Sequence, residues 1–537
     1  MDNGLTPRQP AESAGVATAQ TADSAGSQRG ADYPAIRVPA GVPLIVVLLI
    51  QALLSVRLLH ADTAFQDEAA YLWAGHLEWA HLLHGTPIPP FAAYFSGAPV
   101  IYPPLGALAD SLGVLAGARL LSLAFMLGTT TVLYFVARRL FGRQAAFFAA
   151  ILFAVSGPTL HLGSFATFDA MGAFLVAVSV LFVVRAGGRQ DAAVSMIIAG
   201  VILALANATS YSTAIFDPIV ILLALVTAFP RPGGRLAAGR GLILLAVLAA
   251  LLCVGLLVGG SFYLHGVEST TLERVSGSDP ALTVLTDAWA WTGLIFVVAL
   301  CGVAVSYITR EAVTRTLLLG LLTIAVLLTP AEQALLNTSA SLNKHGDLGI
   351  WFAVIAAGYV IDRLIRASPA GSMQTVTCGA CVVALAFPAA LGVRQSRAFA
   401  TAWPESGAFV AILRPLLART TGPILVEDPA PAEYYLHAES QWKRWSSTRN
   451  IVLYSGASTG GPSTAAGVVG AGDPAAFARF IAEGYFTLVA LNFQDTTPLD
   501  HNIVADLRKS HDYKIISVVP YGPARGTYVI YRYEPHL

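Results

Sequence analysis

The sequence predicts an α-helical polytopic membrane protein of about eleven transmembrane helices, followed by a C-terminal α/β domain. Three observations predict it. Only 12% of the 537 residues are charged and 55% are hydrophobic, about half the charge of a soluble chain, which carries roughly 25%. Apolar runs near the length needed to cross hydrocarbon recur through the middle of the chain. From residue 394 onward the character changes, and that part holds 13 of the 32 Lys and Arg and 12 of the 32 Asp and Glu.

The mean hydropathy of +0.65 excludes a cytosolic globular enzyme and a disordered chain. The missing charge also excludes a nucleic-acid binder, which needs a basic surface, while the balance of 32 basic against 32 acidic residues says nothing of partners. Cys253, Cys301, Cys378 and Cys381 all lie in apolar runs. They read as buried small hydrophobes rather than as a disulfide or metal set.

Residues 1–41 are rich in Ala, Ser, Gly, Thr and Gln without apolar periodicity, as expected of a disordered tail. The first apolar run begins only near Val42, so a cleavable signal peptide is not expected. Eleven runs then fill a transmembrane domain over 42–393, at about 42–59, 118–138, 144–160, 168–185, 193–209, 212–229, 241–261, 288–308, 316–334, 348–365 and 373–393. Arg8, Arg29, Arg37, Arg138, Arg139, Arg143, Arg185, Arg189, Arg231, Arg235, Arg240, Arg310, Arg315, Arg363 and Arg366 fall on one side. Only Arg57, Arg119, Arg274 and Lys344 fall on the other. Positive charge marks the cytoplasmic side. The tail is therefore expected in the cytoplasm, with loop 60–117 and the domain 394–537 extracytoplasmic.

In loop 60–117, Phe65, Ala69, Leu72, His76, Trp79 and Leu83 recur every three or four residues, the pattern of a helix lying flat in the membrane interface. A second interfacial helix is expected from Tyr102 to Ala116, with prolines near its start. In 394–537, strands are expected at Ile424–Glu427, Ile451–Tyr454, Thr487–Leu491, Ile515–Pro520 and Thr527–Tyr533, and helices at about 404–420, 474–484 and 500–511. The Gly-rich stretch 455–467 fits neither phosphate-loop nor dinucleotide spacing and reads as a flexible loop.

Carboxylates gather at the expected outer level: Asp67 and Glu68 after the first span, Asp169 at the mouth of the fourth, Asp217 in the outer third of the sixth, and Glu332 and Asp347 near the ninth and tenth. Lys344 and His345 stand at the same level. Acids near a helix start satisfy its dipole, and a Lys there can simply anchor to the interface. Together, though, a cation suited to phosphate and a carboxylate suited to a hydroxyl proton point to a reaction site.

The ordered set QDEAAYLWAG (66–75), GAPVIYPPLGAL (97–108), the long apolar stretch 117–157, Asp169, LNKHGDLGIWFAVIAAGY (342–359) and AEYYLHAESQWKRWSST (432–448) resembles the polyprenyl-phosphate-dependent glycosyltransferases of the GT-C fold. Within them it is most similar to the protein O-mannosyltransferase and lipid A aminoarabinose transferase type, and to actinobacterial members. The resemblance implies a membrane enzyme of the cell envelope. It would move a sugar from a polyprenyl-phosphate donor, held in membrane lipid, to a protein, lipid or polysaccharide hydroxyl with inversion. It makes Asp67 the general base, Glu68 a sugar-orienting or shared base, and Asp169 a sugar contact or the group that holds Asp67's partner in place. Tyr102 stands where the aminoarabinose transferases carry a lysine, so the donor phosphate falls to Lys344 and His345. Tyr71, Tyr102, Asp217 and Asp347 are the expected pocket residues. No cofactor is expected: Asp67, Glu68 and Asp169 could ligate Mg²⁺ or Mn²⁺, but the members resembled are metal-independent. A transporter or flippase is the rival reading, carried by Asp217-Pro218 inside a span. Surface-level acids and the absence of an internal repeat weigh against it.

Overall fold

The structure is a computed structural model that describes residues 42–93, 95–187, 192–228, 234–272, 276–438, 441–449, 451–455, 464–469, 473–522 and 526–535. The tail expected over 1–41 and the centre of the Gly-rich stretch, 456–463, lie outside these residues.

The helices run α1 (Val42–Val56), α2 (Gln66–His84), α3 (Tyr102–Phe141), α4 (Arg143–Ala154), α5 (Gly157–Leu162), α6 (Phe168–Ala186), α7 (Ala193–Thr209), α8 (Asp217–Val226), α9 (Gly234–Val267), α10 (Ala281–Ile308), α11 (Val313–Ile324), α12 (Leu328–Leu335), α13 (Leu342–Ala367), α14 (Ser372–Ala384) and α15 (Ala386–Phe399). Among the described residues seven helical stretches are long and apolar enough to cross a membrane: 102–141, 168–186, 237–261, 281–308, 313–335, 342–367 and 372–399. The runs expected at 42–59, 144–160, 193–209 and 212–229 form shorter apolar helices.

One helix organises the bundle. Of the spanning window in α13, 78% is buried, against 11% for 237–261 and 6% for 372–399. Its Ile350, Trp351, Phe352 and Val354 are fully enclosed. Gly358 makes the approach to α4 possible, because a Cβ there would run into the Ala145 carbonyl and Ala149. Small residues at such crossings substitute close contact for a hydrophobic drive that is absent in lipid. The peripheral helices correct the cysteine reading: Cys253 and Cys301 are exposed, and Cys378 and Cys381 half-exposed. Apolar side chains facing hydrocarbon gain nothing by turning inward.

Loop 60–117 also differs from a pair of surface helices. The first half of α2 buries Glu68, Ala69, Tyr71, Leu72, Trp73 and Ala74, while Leu82 and Leu83 near its end are exposed. Gly75 sits against the Pro103 carbonyl, with no space for a methyl. The helix expected over 102–116 is continuous with the following span as α3, apart from a break at Gly113 and Val114, where Val114 takes φ 53°.

Helices α16 (Gly407–Leu417), α17 (Ala430–Tyr435), α18 (Pro474–Ala482) and α19 (Thr497–Ser510) surround a sheet. Its strands are β1 (Ile424–Val426), β2 (Trp445–Ser447), β5 (Leu488–Leu491), β6 (Tyr513–Tyr521) and β7 (Gly526–Tyr533), in the order β2-β1-β5-β7-β6. β3 (Ile451–Ser455) and β4 (Thr464–Val469) form a separate antiparallel pair, so the ends of the stretch read as a loop are strand. β1 runs parallel to β2 and β5, and β7 runs antiparallel to β5 and β6. Alternation splits the core into two layers: Ile424, Val426, Leu488 and Ala490 pack towards α16, while Leu425, Val489 and Leu491 pack towards α18 and α19. This domain is fastened to loop 60–117. Tyr434 of α17 donates to Asp110, the Tyr435 hydroxyl accepts from the Ala64 amide, and the Trp403 indole donates to the Thr63 carbonyl.

Candidate functional site

A cavity of about 1730 Å³ opens between the helical bundle, loop 60–117 and the C-terminal domain. The starts of α2, α8 and α13 supply its polar wall: Gln66 and Asp67, Asp217, and Asn343, Lys344 and His345. Helix starts present unsatisfied N–H groups and the positive end of the helix dipole, so this wall suits an anion. An apolar wall continues along α7, α8 and α9 through Val201, Leu205, Ile221, Leu245, Leu248 and Leu252.

Lys344 is the centre of the polar wall. Its Nζ donates to Asp67 Oδ2 at 2.6 Å and lies 3.8 Å from Asp169 Oδ2. His345 Nε2 is 3.8 Å from Asp169 Oδ1. The Asp67 side chain is 30% exposed and that of Asp169 6%, so Asp67 is the carboxylate reachable from the cavity. Asp169 instead backs the cation from a small adjoining void, where Lys344, His345 and Asp347 also contribute.

The residues expected at the site divide accordingly. Asp67, Tyr71, Asp217, Lys344 and His345 line the cavity. Tyr71 is wedged between Phe168 and Phe95, at ring separations of 4.4 and 5.2 Å. Burial, then the charges of Asp67 and Asp169, pushes its phenol well above the usual value, so it remains a donor. Asp217 accepts from Asn207 at 2.7 Å. Tyr102 is fully buried and near Ser122, and Asp347 accepts from Thr159 at 2.6 Å in the small void. Neither lines the main cavity.

Glu68 is likewise turned away from it. The carboxylate is fully buried and takes two 2.8 Å hydrogen bonds from Arg119, with the Ala166 amide at 2.8 Å and the Phe65 amide at 2.9 Å completing its acceptors. Arg119 also donates to the carbonyls of Leu59, Asp62 and Thr63. This buried ion pair ties together the end of α1, the start of α2, α3 and the approach to α6. It fixes the backbone that carries Asp67, and leaves Glu68 no open face for a proton or a sugar.

Residues 107–258, well under half of the chain, match the family described as dolichyl-phosphate-mannose-protein mannosyltransferase. The whole structure is similar to the apo oligosaccharyltransferase of Archaeoglobus fulgidus. The TM-score is 0.57 and the identity 14%, over 92% of this chain and 74% of that one. It is also similar to ArnT from Cupriavidus metallidurans bound to undecaprenyl phosphate, with TM-score 0.56 and 14% identity over 91% of this chain and 98% of that one. This is the GT-C fold. A third similar structure is the Archaeoglobus fulgidus oligosaccharyltransferase AglB with an inhibitory peptide and a dolichol-phosphate, at TM-score 0.55 and 14% identity over 91% and 74% of the two chains. A search of curated proteins finds no match.

A chain of this fold is a multi-pass membrane protein, and its cavity lies where α2, α6, α8 and α13 begin. Sequence reasoning missed Arg119, although a single Arg entering an otherwise apolar run requires a partner. It also missed Asn207, near the end of the run at 193–209, and Arg449 and Asp495, which stand in connections without periodicity; all three line the cavity. Among the described residues no three His, Cys, Asp or Glu side chains are grouped as metal ligands.

Proposed function

We propose that the protein is a glycosyltransferase that moves a sugar from a polyprenyl-phosphate donor to an acceptor hydroxyl on the extracytoplasmic side of the membrane. The observation that carries this reading is the meeting of Asp67 and Lys344, at 2.6 Å, on the wall of a cavity with an apolar extension. A lipid-linked phosphate needs both a cation and an apolar channel. Polyprenyl phosphates bound to ArnT and AglB support the donor class. The arginine asymmetry in the sequence supports the sidedness.

Lys344 holds Asp67 through a 2.6 Å hydrogen bond. An arriving phosphate competes for the ammonium, with His345 beside it, and leaves Asp67 Oδ2 open to accept a proton. The acceptor oxygen then bonds to the anomeric carbon as the bond from that carbon to the phosphate oxygen breaks. The hydroxyl proton passes to Asp67, and the electron pair leaves with the polyprenyl phosphate, whose growing charge Lys344 and His345 neutralise. Attack opposite the leaving group inverts the anomeric centre. Asp169 keeps Lys344 and His345 oriented, and Tyr71 and Asp217 offer polar contacts to the sugar. Glu68 acts through Arg119 as a positioning residue, a revision of the shared-base role expected from sequence.

The test is to supply the purified full-length protein with polyprenyl-phosphate mannose or polyprenyl-phosphate arabinose together with glycan, peptide and lipid acceptors, and measure released polyprenyl phosphate, alongside lipid or solute flux in proteoliposomes. Release of the carrier with no flux is expected. Flux with no release overturns the reading in favour of a transporter.

A further inference from the structure

The roof of the cavity belongs to the C-terminal domain, and the donor chemistry uses none of it. Ala430 at the start of α17, Arg449 beyond β2 and Asp495 between β5 and α19 all line the cavity. Arg449 and Asp495 face each other as an ion pair at 2.6 Å, with side chains 45% and 27% exposed. Both ends are reachable by a molecule that enters from the domain side.

This pair is held by an unusual support. Glu427, at the end of β1 and 1% exposed, accepts the backbone N–H groups of Asn492, Phe493, Gln494, Asp495 and Thr496 at 2.5 to 3.2 Å. Phe493 takes φ 59° in that turn, and one internal carboxylate thereby fixes the whole connection that carries Asp495. On the other side Thr448, next to Arg449, bonds to the Thr496 hydroxyl at 2.7 Å. Both members of the pair therefore hang from preorganised backbone, the requirement for a recognition site rather than a loose surface bridge. Asp428 adds a third carboxyl beside them. Burial, then the charge of Asp495, pushes it up to about 7, and Asp67 contributes in the same direction. The roof and the proposed base thus share one electrostatic neighbourhood.

We infer that the Arg449–Asp495 pair is the acceptor-binding site, and that it takes a neutral polyhydroxylated acceptor, a glycan. The inference rests on the glycosyltransferase reading. Each sugar hydroxyl both donates and accepts, and an adjacent guanidinium and carboxylate offer donors and acceptors side by side. A pair of neighbouring hydroxyls can bridge them without bringing in a charge. A phosphate-bearing lipid headgroup could take only Arg449 and would set its charge against Asp495, 2.6 Å from that guanidinium. A peptide acceptor presents one Ser or Thr hydroxyl at a time, whereas a glycan presents several neighbouring ones that can span the pair.

The experiment uses the full-length protein in nanodiscs and reads binding of three probes: mannotriose, a Ser/Thr hexapeptide and anionic phosphatidylglycerol. Binding of undecaprenyl phosphate is read in parallel. Mannotriose is expected to bind in preference to the other two. Arg449→Ala and Asp495→Asn are each expected to weaken it at least about tenfold, the loss of a charge-assisted hydrogen bond or two, with undecaprenyl phosphate binding unchanged. If Arg449→Ala loses both ligands through misfolding, the nearly isosteric Asp495→Asn decides. Preferred binding of the hexapeptide or phosphatidylglycerol, or mannotriose binding untouched by Asp495→Asn, overturns the inference. Failure of the wild-type protein to bind undecaprenyl phosphate would instead strike the donor reading, so the two failures are distinct.

Discussion

Glu68 and Arg119 meet through two parallel 2.8 Å hydrogen bonds with both side chains closed to solvent, while Asp67, one residue earlier, opens into the cavity. Adjacent residues on a helix point about 100° apart, and here that rotation separates a structural carboxylate from a reactive one. Removing one partner of a buried pair leaves the other charge uncompensated, at about 3–5 kcal/mol. Glu68→Ala or Arg119→Ala should therefore lower the thermal midpoint of the detergent-purified protein sharply. The apolar double variant Glu68→Leu with Arg119→Met should cost less than the sum of the single changes. A single variant with unchanged unfolding contradicts the assignment.

Lys344→Ala should weaken binding of undecaprenyl phosphate by about tenfold or more, since a charge-assisted contact is lost, and Lys344→Arg should restore most of it. Fluorescence or calorimetric titration of the phosphate lipid in nanodiscs reads this directly. Equal affinity in Lys344→Ala would remove Lys344 from the phosphate site.

Asp110 receives His76 Nε2 at 2.7 Å and the Tyr434 hydroxyl, and His437 stacks on His76 with ring centres 5.2 Å apart. This cluster joins α2 and α3 to α17. Tyr434→Phe should loosen the attachment of the C-terminal domain by about 1 kcal/mol, and Asp110→Ala by more. The readout is faster proteolytic cleavage within residues 400–445, and unchanged cleavage in Asp110→Ala would contradict a fastening role.

Burial, then the charge of Asp428, pushes the Glu433 carboxyl up to about 8. Its folded value lies above the ordinary 4.5, so between those limits the folded chain binds more protons than the unfolded one. Stability then falls as pH rises through that window. Glu433→Gln should raise the melting temperature by a few degrees at about pH 9 and change little at about pH 5. An unaltered pH slope in scanning fluorimetry would contradict this.

The helical part was legible because hydrocarbon demands long apolar runs, and each of the eleven expected runs is helical in the structure, although four are short. Which face turns inward was not legible, because lipid is as apolar as a core. Cys253 and Cys301 therefore could not be placed from composition. Phe65, Ala69, Leu72, His76, Trp79 and Leu83 mark one face of α2, yet Arg119 of α3, Phe168 of α6 and the segment carrying Phe91 and Phe95 also enclose Glu68, Tyr71 and Trp73. Asp67 and Lys344, 277 residues apart, were singled out together because charges at one membrane level are few. Glu427, Arg449 and Asp495 sit at strand ends and connections, where no periodicity marks a side chain, and only the folded sheet brings them over the cavity. Strands β2 and β4 went unseen because Trp445–Ser447 is three residues long and Thr464–Val469 is small and Gly-containing.

The central claim is that Asp67 accepts the acceptor's proton beside a phosphate held by Lys344, and the most direct measurement is single-turnover sugar transfer by Asp67→Asn with the polyprenyl-phosphate sugar already bound. The expected result is a rate lowered by about 10²–10⁴, the usual worth of a general base, with donor affinity retained. A wild-type rate from Asp67→Asn at full donor occupancy would contradict it.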